Sequence, residues 1–171
     1  MIVRREQPGD HDAVRGLHRA AFATPGAGGE VVEARLVDEL RADAGFLPHL
    51  SLVAVDDDVL VGHVIATRGR LEPLGTPVLG LGPLGVLPEA QGTGVGTALV
   101  HALLAVAEAC DEPLVALLGD PSYYRRFGFT RATELGVTPP DPRWGEHFQA
   151  RRLTGRVVEG AFRYATPFDR L

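Results

Sequence analysis

The chain has 171 residues, of which 45% are hydrophobic and 23% are charged, and this balance predicts one globular domain over residues 1–171. It excludes an intrinsically disordered chain, a collagen and a coiled coil. With 17 basic and 22 acidic residues the net charge is −5, so we expect no nucleic-acid partner. No apolar run is long enough to cross a membrane, and a single cysteine, Cys110, suits a reducing cytoplasm, where we expect a monomer or homodimer.

Hydrophobic periodicity divides the chain into short strands and amphipathic helices. The first half is predicted to contain a strand at Ile2–Glu6, a helix from Asp10 to Phe22, a helix with Val32, Leu36, Val37 and Leu40 on one face, a β-hairpin of Leu50–Val55 and Val59–Arg70, and a strand at Val78–Leu87. The second half is predicted to contain a helix at Thr93–Cys110, a buried strand at Leu114–Leu118, a helix opened by Asp120 and Pro121, and strands near Phe148–Leu153 and Ala161–Tyr164. No repeat or linker interrupts this order, which is typical of one α+β domain.

The inventory of reactive side chains excludes several reaction classes. The chain has only two serines, Ser51 and Ser122, and neither lies in the G-x-S-x-G turn of a serine hydrolase. Its histidines show no paired spacing typical of metal ligands, and one cysteine cannot form a thiolate cluster. We therefore expect no metal.

The most informative motif is a glycine-rich turn between the predicted strand Val78–Leu87 and the long helix Thr93–Cys110. It reads Pro88-Glu89-Ala90-Gln91-Gly92-Thr93-Gly94-Val95-Gly96. Glycines let several backbone N–H groups converge, and the helix adds partial positive charge, so the turn is suited to an anion. The chain has no lysine for a Walker A motif, and a dinucleotide fingerprint would need its third glycine one residue later. A merely tight strand-to-helix turn is the structural alternative.

The spacing of Gln91, Gly94 and Gly96 resembles the Q/R-x-x-G-x-G/A pyrophosphate turn of the GNAT superfamily of acetyl-CoA-dependent N-acetyltransferases. The resemblance implies that acetyl-CoA is the cosubstrate. It implies coenzyme contacts from Leu84, Gly85 and Val86 in the preceding strand and from Gln91, Gly92, Thr93, Gly94, Val95, Gly96 and Thr97 in the turn and helix.

The strand before the turn is predicted to be irregular on physical grounds as well. Proline cannot donate a ladder hydrogen bond and glycine weakens a strand, so Gly82-Pro83-Leu84-Gly85 cannot form a regular central strand. In the family this strand has a bulge and separates from its neighbour, and its free backbone groups hold the pantetheine arm.

A second motif reads Leu118-Gly119-Asp120-Pro121-Ser122-Tyr123-Tyr124-Arg125-Arg126-Phe127-Gly128-Phe129. It resembles the GNAT pattern F/Y-Y-x-x-x-G-F, whose second aromatic residue lies near the coenzyme sulfur, and this implies Tyr124. Adjacent helical residues point about 100° apart, so only one of Tyr123 and Tyr124 can face a cleft squarely. Tyr123 precedes Phe127 by four residues and is expected to pack against it, which leaves Tyr124 for the cleft. The alternative is that both tyrosines only pack.

The resemblance covers nearly the whole chain and is most specific in residues 82–129. Leu60–Val64 and the C-terminal Phe148–Leu153 also resemble a bacterial subgroup of predicted acetyltransferases, often called YhbS-like. The implied fold is a mixed, mostly antiparallel sheet flanked by helices, which opens as a V between two central parallel strands.

The implied reaction is direct attack on the thioester by a primary amine of a small molecule, a peptide or a protein while both ligands are bound. Tyr124 would protonate the departing thiolate, because a phenol of pKa about 10 donates to a thiol of pKa about 8.5 at a cost of only about 2 kcal/mol. A backbone N–H near Val86 would polarise the thioester oxygen. The alternative function is a non-catalytic acyl-CoA-binding or regulatory module with the same fold.

The acceptor side of the site is predicted less directly. His63 is a candidate contact because its pKa range suits proton transfer, although it can equally be a hydrogen-bonded sheet residue. Glu30 and Glu33 could select a cationic amine, or could simply favour the dipole of the helix they begin. The general base stays open among His63, Glu72, Asp120 and a chain of waters.

Overall fold

The computed structural model describes residues 1–24, 29 and 31–170, and within them nine strands form one sheet. The strands are β1 (Ile2–Arg5), β2 (Phe46–Asp56), β3 (Val59–Glu72), β4 (Thr76–Val86), β5 (Leu114–Leu118), β6 (Thr130–Arg131), β7 (Val137–Thr138), β8 (Phe148–Arg152) and β9 (Gly160–Arg163). The helices are α1 (His11–Ala21), α2 (Val32–Ala42), α3 (Val95–Ala109) and the single turn α4 (Pro121–Tyr124). Short 3-10 helices lie at Pro8–Asp10, Pro88–Ala90, Arg125–Phe127, Ala132–Leu135, Pro142–His147 and Thr166–Arg170. No helix in this part of the chain is long and apolar enough to cross a membrane.

The sheet is mixed and mostly antiparallel, as expected. Its strands follow the order β1-β2-β3-β4-β5-β8-β6, and β9 pairs with the far end of β3 and with β7. The first four strands are antiparallel to their neighbours, whereas β4 and β5 run parallel. The long helix α3 connects these two parallel strands, as a parallel pair requires.

Alternate residues of the central strands face helices on opposite sides of the sheet. Gly62 of β3 lies under α3, where a β-carbon would contact Val95 and Leu99. Ile65, three residues further along, packs instead with Leu36 and Leu40 of α2. The period of two along a strand therefore gives β3 two buried faces, which explains its long run of buried residues.

The parallel strands β4 and β5 separate after a very short pairing. Only Leu79 with Val115 and Gly80 with Ala116 are partners, and beyond them β4 continues beside β3 while β5 continues beside β8. A bulge marks the point of separation, since β3 pairs Val64 with Leu84 but Ala66 with Leu81. Gly82 and Pro83 therefore stand opposite the single residue between those two, and the predicted bulge and V-shaped opening are confirmed.

Several element boundaries differ from the predictions. Strand β2 begins at Phe46 rather than Leu50, because Phe46 pairs with Thr67 even though Pro48 interrupts the apolar pattern. The helix predicted after Asp120 is only one turn long and continues as a 3-10 turn. Strands β6 and β7 have two residues each, too few for any periodicity to show.

The contact between α3 and the sheet gives a test of this packing. A β-carbon on Gly62 would lie 2.6 Å from Cγ1 of Val95 and 2.8 Å from Cδ1 of Leu99. Gly62→Ala should therefore lower the free energy of unfolding by about 1–3 kcal/mol through overpacking, measured by urea denaturation. The control is Gly16→Ala, at an exposed position of α1 with no atom within 4 Å of the added carbon, which should be neutral or slightly stabilising. Equal stabilities of the two variants would contradict the close approach of α3.

Candidate active site

The glycine-rich turn presents backbone N–H groups at the start of α3. Gly92 and Gly94 have left-handed backbone conformations, with φ of +74° and +96°. The first N–H that bonds within the helix is that of Ala98, which donates to the Gly94 carbonyl at 2.9 Å. The N–H groups of residues 95–97 therefore lack an intrahelical acceptor and point out of the helix end. This is the arrangement that binds a phosphate oxygen in many proteins.

Side chains of the turn hold its conformation. The amide nitrogen of Gln91 donates to the Val86 carbonyl at 3.1 Å, and the Thr93 hydroxyl donates to the Ala90 carbonyl at 2.7 Å. Val95 contributes only its N–H, because its side chain is buried in the core. These hydrogen bonds and the buried Val95 side chain hold the turn in its conformation.

A small cavity of about 260 Å³ lies between this turn and strand β4. It is lined by Ala21, Phe22, Leu84, Val86, Ala90, Gln91, Gly92, Gly96 and Tyr123. Gly96 leaves room for the tyrosine, since a β-carbon there would lie 2.7 Å from the Tyr123 hydroxyl. The structure therefore brings five of the predicted coenzyme residues, Leu84, Val86, Gln91, Gly92 and Gly96, to one cavity.

The backbone of β4 offers hydrogen-bond donors toward the V-shaped opening. The Leu87 N–H donates to the Val61 carbonyl of β3 at 3.0 Å. Because backbone N–H groups alternate sides along a strand, those of Val86 and Leu84 point away from β3. These two N–H groups point into the gap that opens where β5 no longer pairs with β4. The face of Gly85 that would carry a side chain lies against α1.

The two tyrosines of α4 line different cavities. Asp120 caps this turn by accepting from the Ser122 N–H at 2.8 Å. The Tyr123 ring lies 5.5 Å from that of Phe127, as expected, but it also lines the small cavity. Tyr124 lines a second, larger cavity. Burial, with a smaller effect from Tyr123, raises the pKa of Tyr124 well above that of a free phenol, so this hydroxyl is neutral and able to donate.

The large cavity has a volume of about 630 Å³ and begins where β4 and β5 separate. At this end it is lined by Leu81, Gly82, Pro83, Leu84, Leu118 and Tyr124. Further aromatic rings come from Phe22, Trp144, Tyr164 and Phe168, and charged groups come from Glu33, Asp141, Arg163 and Asp169. Phe22 and Leu84 line both cavities, so the two spaces adjoin at the bulged end of β4.

The predicted acceptor residues have different positions in the structure. Glu33 lies in the first turn of α2 and lines the large cavity. Glu30 lies outside the described residues. His63 is completely buried and lines neither cavity, so it has no direct contact with a ligand there. Of the possible bases, Glu72 accepts from Arg70 at 2.7 Å and Asp120 serves as the helix cap, and neither lines the small or the large cavity.

His63 belongs to a buried chain of polar groups that sequence reasoning missed. Glu6 accepts a hydrogen bond from the Ser51 hydroxyl at 2.5 Å and forms an ion pair with Arg41. Nε2 of His63 lies 3.0 Å from that hydroxyl, and Nδ1 of His63 lies 2.8 Å from Nε2 of His18. Burial alone would raise the pKa of Glu6, but the nearby His63, Arg41 and Ser51 together lower it, so the carboxylate is ionised.

The ionised Glu6 determines the protonation of every group in the chain. Since the Ser51 hydroxyl donates to Glu6, its oxygen accepts from Nε2–H of His63. Nδ1 of His63 then accepts from Nε2–H of His18, and Nδ1 of His18 carries a lone pair. That buried nitrogen has no hydrogen-bond partner among the described residues, and a β-carbon on Gly85 would lie 2.9 Å from it. The absence of a side chain at Gly85 thus lets the imidazole pack directly on β4.

Both buried histidines are neutral in the folded protein. Burial lowers the pKa of His18 to about 3, and burial also lowers the pKa of His63, although the Glu6 carboxylate partly offsets this. Unfolded histidines titrate near a pKa of about 6.5, so below that pH the unfolded chain binds more protons than the folded one. Stability must therefore decrease as the pH falls below about 6.5 and toward the lower folded values.

The expected loss is large enough to measure. Between about pH 7.5 and pH 5.5, two such histidines should lower the free energy of unfolding by about 2–3 kcal/mol, measured by urea denaturation at each pH. His18→Leu should remove about half of this pH dependence, whatever its effect on stability at neutral pH. His11→Gln, at an exposed position of the same helix, controls for the loss of a histidine. A wild-type stability that is constant over this range would contradict the neutral, buried pair.

Comparison with known proteins shows the family to which the chain belongs. Residues 14–129 match the model of the acetyltransferase (GNAT) family. The N-acetyltransferase YhbS of Escherichia coli K12 is 32% identical over 161 residues, which is 94% of this chain and 92% of YhbS. The crystal structure of E. coli YhbS in complex with CoA has a TM-score of 0.88 at 30% identity, covering 99% of this chain and 92% of that one. A GNAT acetyltransferase from Brucella melitensis in complex with acetyl-CoA has a TM-score of 0.79 at 33% identity, covering 98% and 97%. The chain therefore belongs to the GNAT family of acetyl-CoA-dependent N-acetyltransferases.

Proposed function

We propose that this enzyme transfers the acetyl group of acetyl-CoA to a primary amine by direct attack while both ligands are bound. The supporting observation is that two cavities adjoin at the bulged end of β4. The small cavity lies beside the glycine-rich turn, and the Tyr124 ring lines the large cavity. Two ligands that enter from opposite sides would therefore meet beside Leu84 and Tyr124.

The coenzyme side is proposed from the groups that the small cavity offers. The pyrophosphate would accept hydrogen bonds from N–H groups of residues 92–97 at the start of α3. The pantetheine arm would lie along Leu84–Val86, where alternate N–H groups point into the opening. The crystallisation of relatives in complex with CoA or acetyl-CoA supports a coenzyme site in this fold.

The reaction needs a neutral amine and a protonated leaving group. The amine nitrogen forms a C–N bond to the carbonyl carbon, the C–S bond breaks, the amine loses one proton and the sulfur gains one. The Val86 N–H would polarise the thioester oxygen, because it points toward the opening and its neighbour Gln91 occupies only the Val86 carbonyl. Tyr124 would supply the proton to sulfur.

The elevated pKa of Tyr124 changes the pH dependence that is expected of the reaction rate. A phenol with an ordinary pKa of about 10 would begin to lose its catalytic proton in mildly alkaline solution. Burial keeps Tyr124 protonated to higher pH, at the cost of a weaker driving force for proton transfer. The alkaline loss of activity predicted for an unperturbed phenol is therefore shifted upward.

The glycine-rich turn provides a test of the coenzyme site with a matched control. Gly94→Glu should abolish CoA binding, measured by calorimetry, because its carboxylate would face the pyrophosphate at a left-handed position. The control is Gly75→Glu, in the β3–β4 turn, where φ is +66° and no atom lies within 4 Å of an added β-carbon, as at Gly94. Both variants should lose similar stability, and only Gly94→Glu should lose the coenzyme. Normal CoA affinity in folded Gly94→Glu would exclude this site.

Tyr124→Phe tests the proposed proton donor. The ring and its packing are kept, so folding and CoA affinity should change little, while kcat should fall by roughly 10²- to 10⁴-fold. The wild-type rate should hold at least to about pH 10, beyond the range in which an ordinary phenol would stay protonated.

Tyr123→Phe is the paired control for that experiment. Its hydroxyl lies beside Gly96 on the coenzyme side, so the variant should raise the KM for acetyl-CoA by a few-fold and leave kcat nearly unchanged. A large fall in kcat for Tyr123→Phe with an active Tyr124→Phe would reverse the two roles. If both variants keep the wild-type kcat, the thiolate leaves without a proton from either tyrosine.

A further inference from the structure

The large cavity is lined by several groups that acetyl transfer itself does not require. We propose that it binds the acceptor, and that this acceptor is a cationic primary amine attached to a hydrophobic, preferably aromatic, body. This inference rests on the proposed function, because it names the class of amine that would meet the thioester.

Aromatic rings form a continuous wall there. The Tyr164 ring lies 4.5 Å from that of Phe168 and 6.4 Å from that of Trp144, measured between ring centroids. Trp144 and Phe168 are only partly buried, so part of each ring faces the cavity. A ligand ring placed against this wall would exchange water for aromatic contacts, which is a large source of binding free energy. The volume of about 630 Å³ falls in the range of sites for small molecules.

Charged groups that line the same cavity favour a cation. Three carboxylates, those of Glu33, Asp141 and Asp169, line the cavity together with one guanidinium, that of Arg163. Asp141 is neutralised by Arg143 at 2.5 Å. Among the described residues Glu33 and Asp169 form no ion pair. Two unpaired carboxylates beside an apolar wall suit an ammonium group on a hydrophobic body.

The combination of aromatic rings and unpaired carboxylates also disfavours other amines. A strongly hydrophilic amine would gain little from this wall, because its hydroxyl groups would lie against apolar ring faces. An aromatic amino acid would bring a carboxylate toward Glu33 and Asp169, with only Arg163 to balance it. The cavity therefore predicts a preference for the decarboxylated, singly charged amine.

The test uses matched acceptors and two independent signals. Phenethylamine, phenylalanine, ethanolamine and a short peptide with a free N-terminus are each offered with acetyl-CoA, and release of the CoA thiol is followed. Trp144 is the only tryptophan of the chain, so its emission reports binding at the cavity wall without any turnover. Phenethylamine should have a kcat/KM at least tenfold above that of each other acceptor, and it should change the Trp144 emission in a saturable way.

Variants of the carboxylates test the charge argument. Glu33→Gln should raise both the KM for phenethylamine and its dissociation constant by roughly tenfold with a nearly unchanged kcat, and Asp169→Asn should act in the same direction. The control is Glu134→Gln, an exposed glutamate outside the cavity, which should leave all three constants unchanged.

The outcomes separate this inference from the proposed function. Faster thiol release with ethanolamine or the peptide than with phenethylamine would overturn the acceptor class while leaving the acetyltransferase intact. A saturable, Glu33-dependent Trp144 response without any thiol release would support the acceptor class and contradict the proposed reaction. No Trp144 response to phenethylamine, or no effect of either carboxylate variant, would overturn the inference.

Discussion

The separation of β4 from β5 is the constraint on which the candidate site depends. Two parallel strands that paired along their full length would close the sheet and leave no opening between α3 and α1. Here only two residue pairs join them, and each strand then satisfies its backbone with a different neighbour, β3 or β8. The N–H groups that face the gap lie on a strand that is fixed along its other edge. The opening therefore lies between two strands that are each hydrogen-bonded to the sheet along the other edge.

The buried polar chain supports this opening from behind. Hydrogen bonds among four buried side chains, Glu6, Ser51, His63 and His18, connect the residue after β1 with β2, β3 and α1. A chain of this kind is costly to interrupt, because each lost partner leaves a buried polar atom unsatisfied. It places α1 over Gly85, and Phe22, the residue after α1, lines both cavities. The Phe22 ring stacks on the His18 imidazole, with ring centroids 5.8 Å apart, so its position between the two ligand sites depends on this network.

The parts of the site that could be predicted from the sequence are those whose residues are contiguous. The spacing of its glycines indicates the turn from Gln91 to Gly96, and the adjacent aromatic residues indicate the two tyrosines of α4. The bulge was predictable because proline and glycine break a ladder for local reasons. The wall of Trp144, Tyr164 and Phe168 could not be found in this way, since it assembles from segments whose proximity arises only from the fold. The sequence allowed His63 to be a hydrogen-bonded sheet residue, but its partners could not be identified, because they come from three other segments of the chain.

The bulge in β4 also has a consequence for how this chain can change over time. Before it, Leu79 and Leu81, at odd positions, face α3, whereas after it Leu84 and Val86, at even positions, take over that face. Deleting one residue from Gly82–Pro83 would restore the original alternation and exchange the two faces. Leu84 and Val86 would then be driven into the space of His18, and Gly85 would face the coenzyme side with no side chain to offer. This segment should therefore tolerate no insertion or deletion, because its length determines which face of β4 each later side chain occupies.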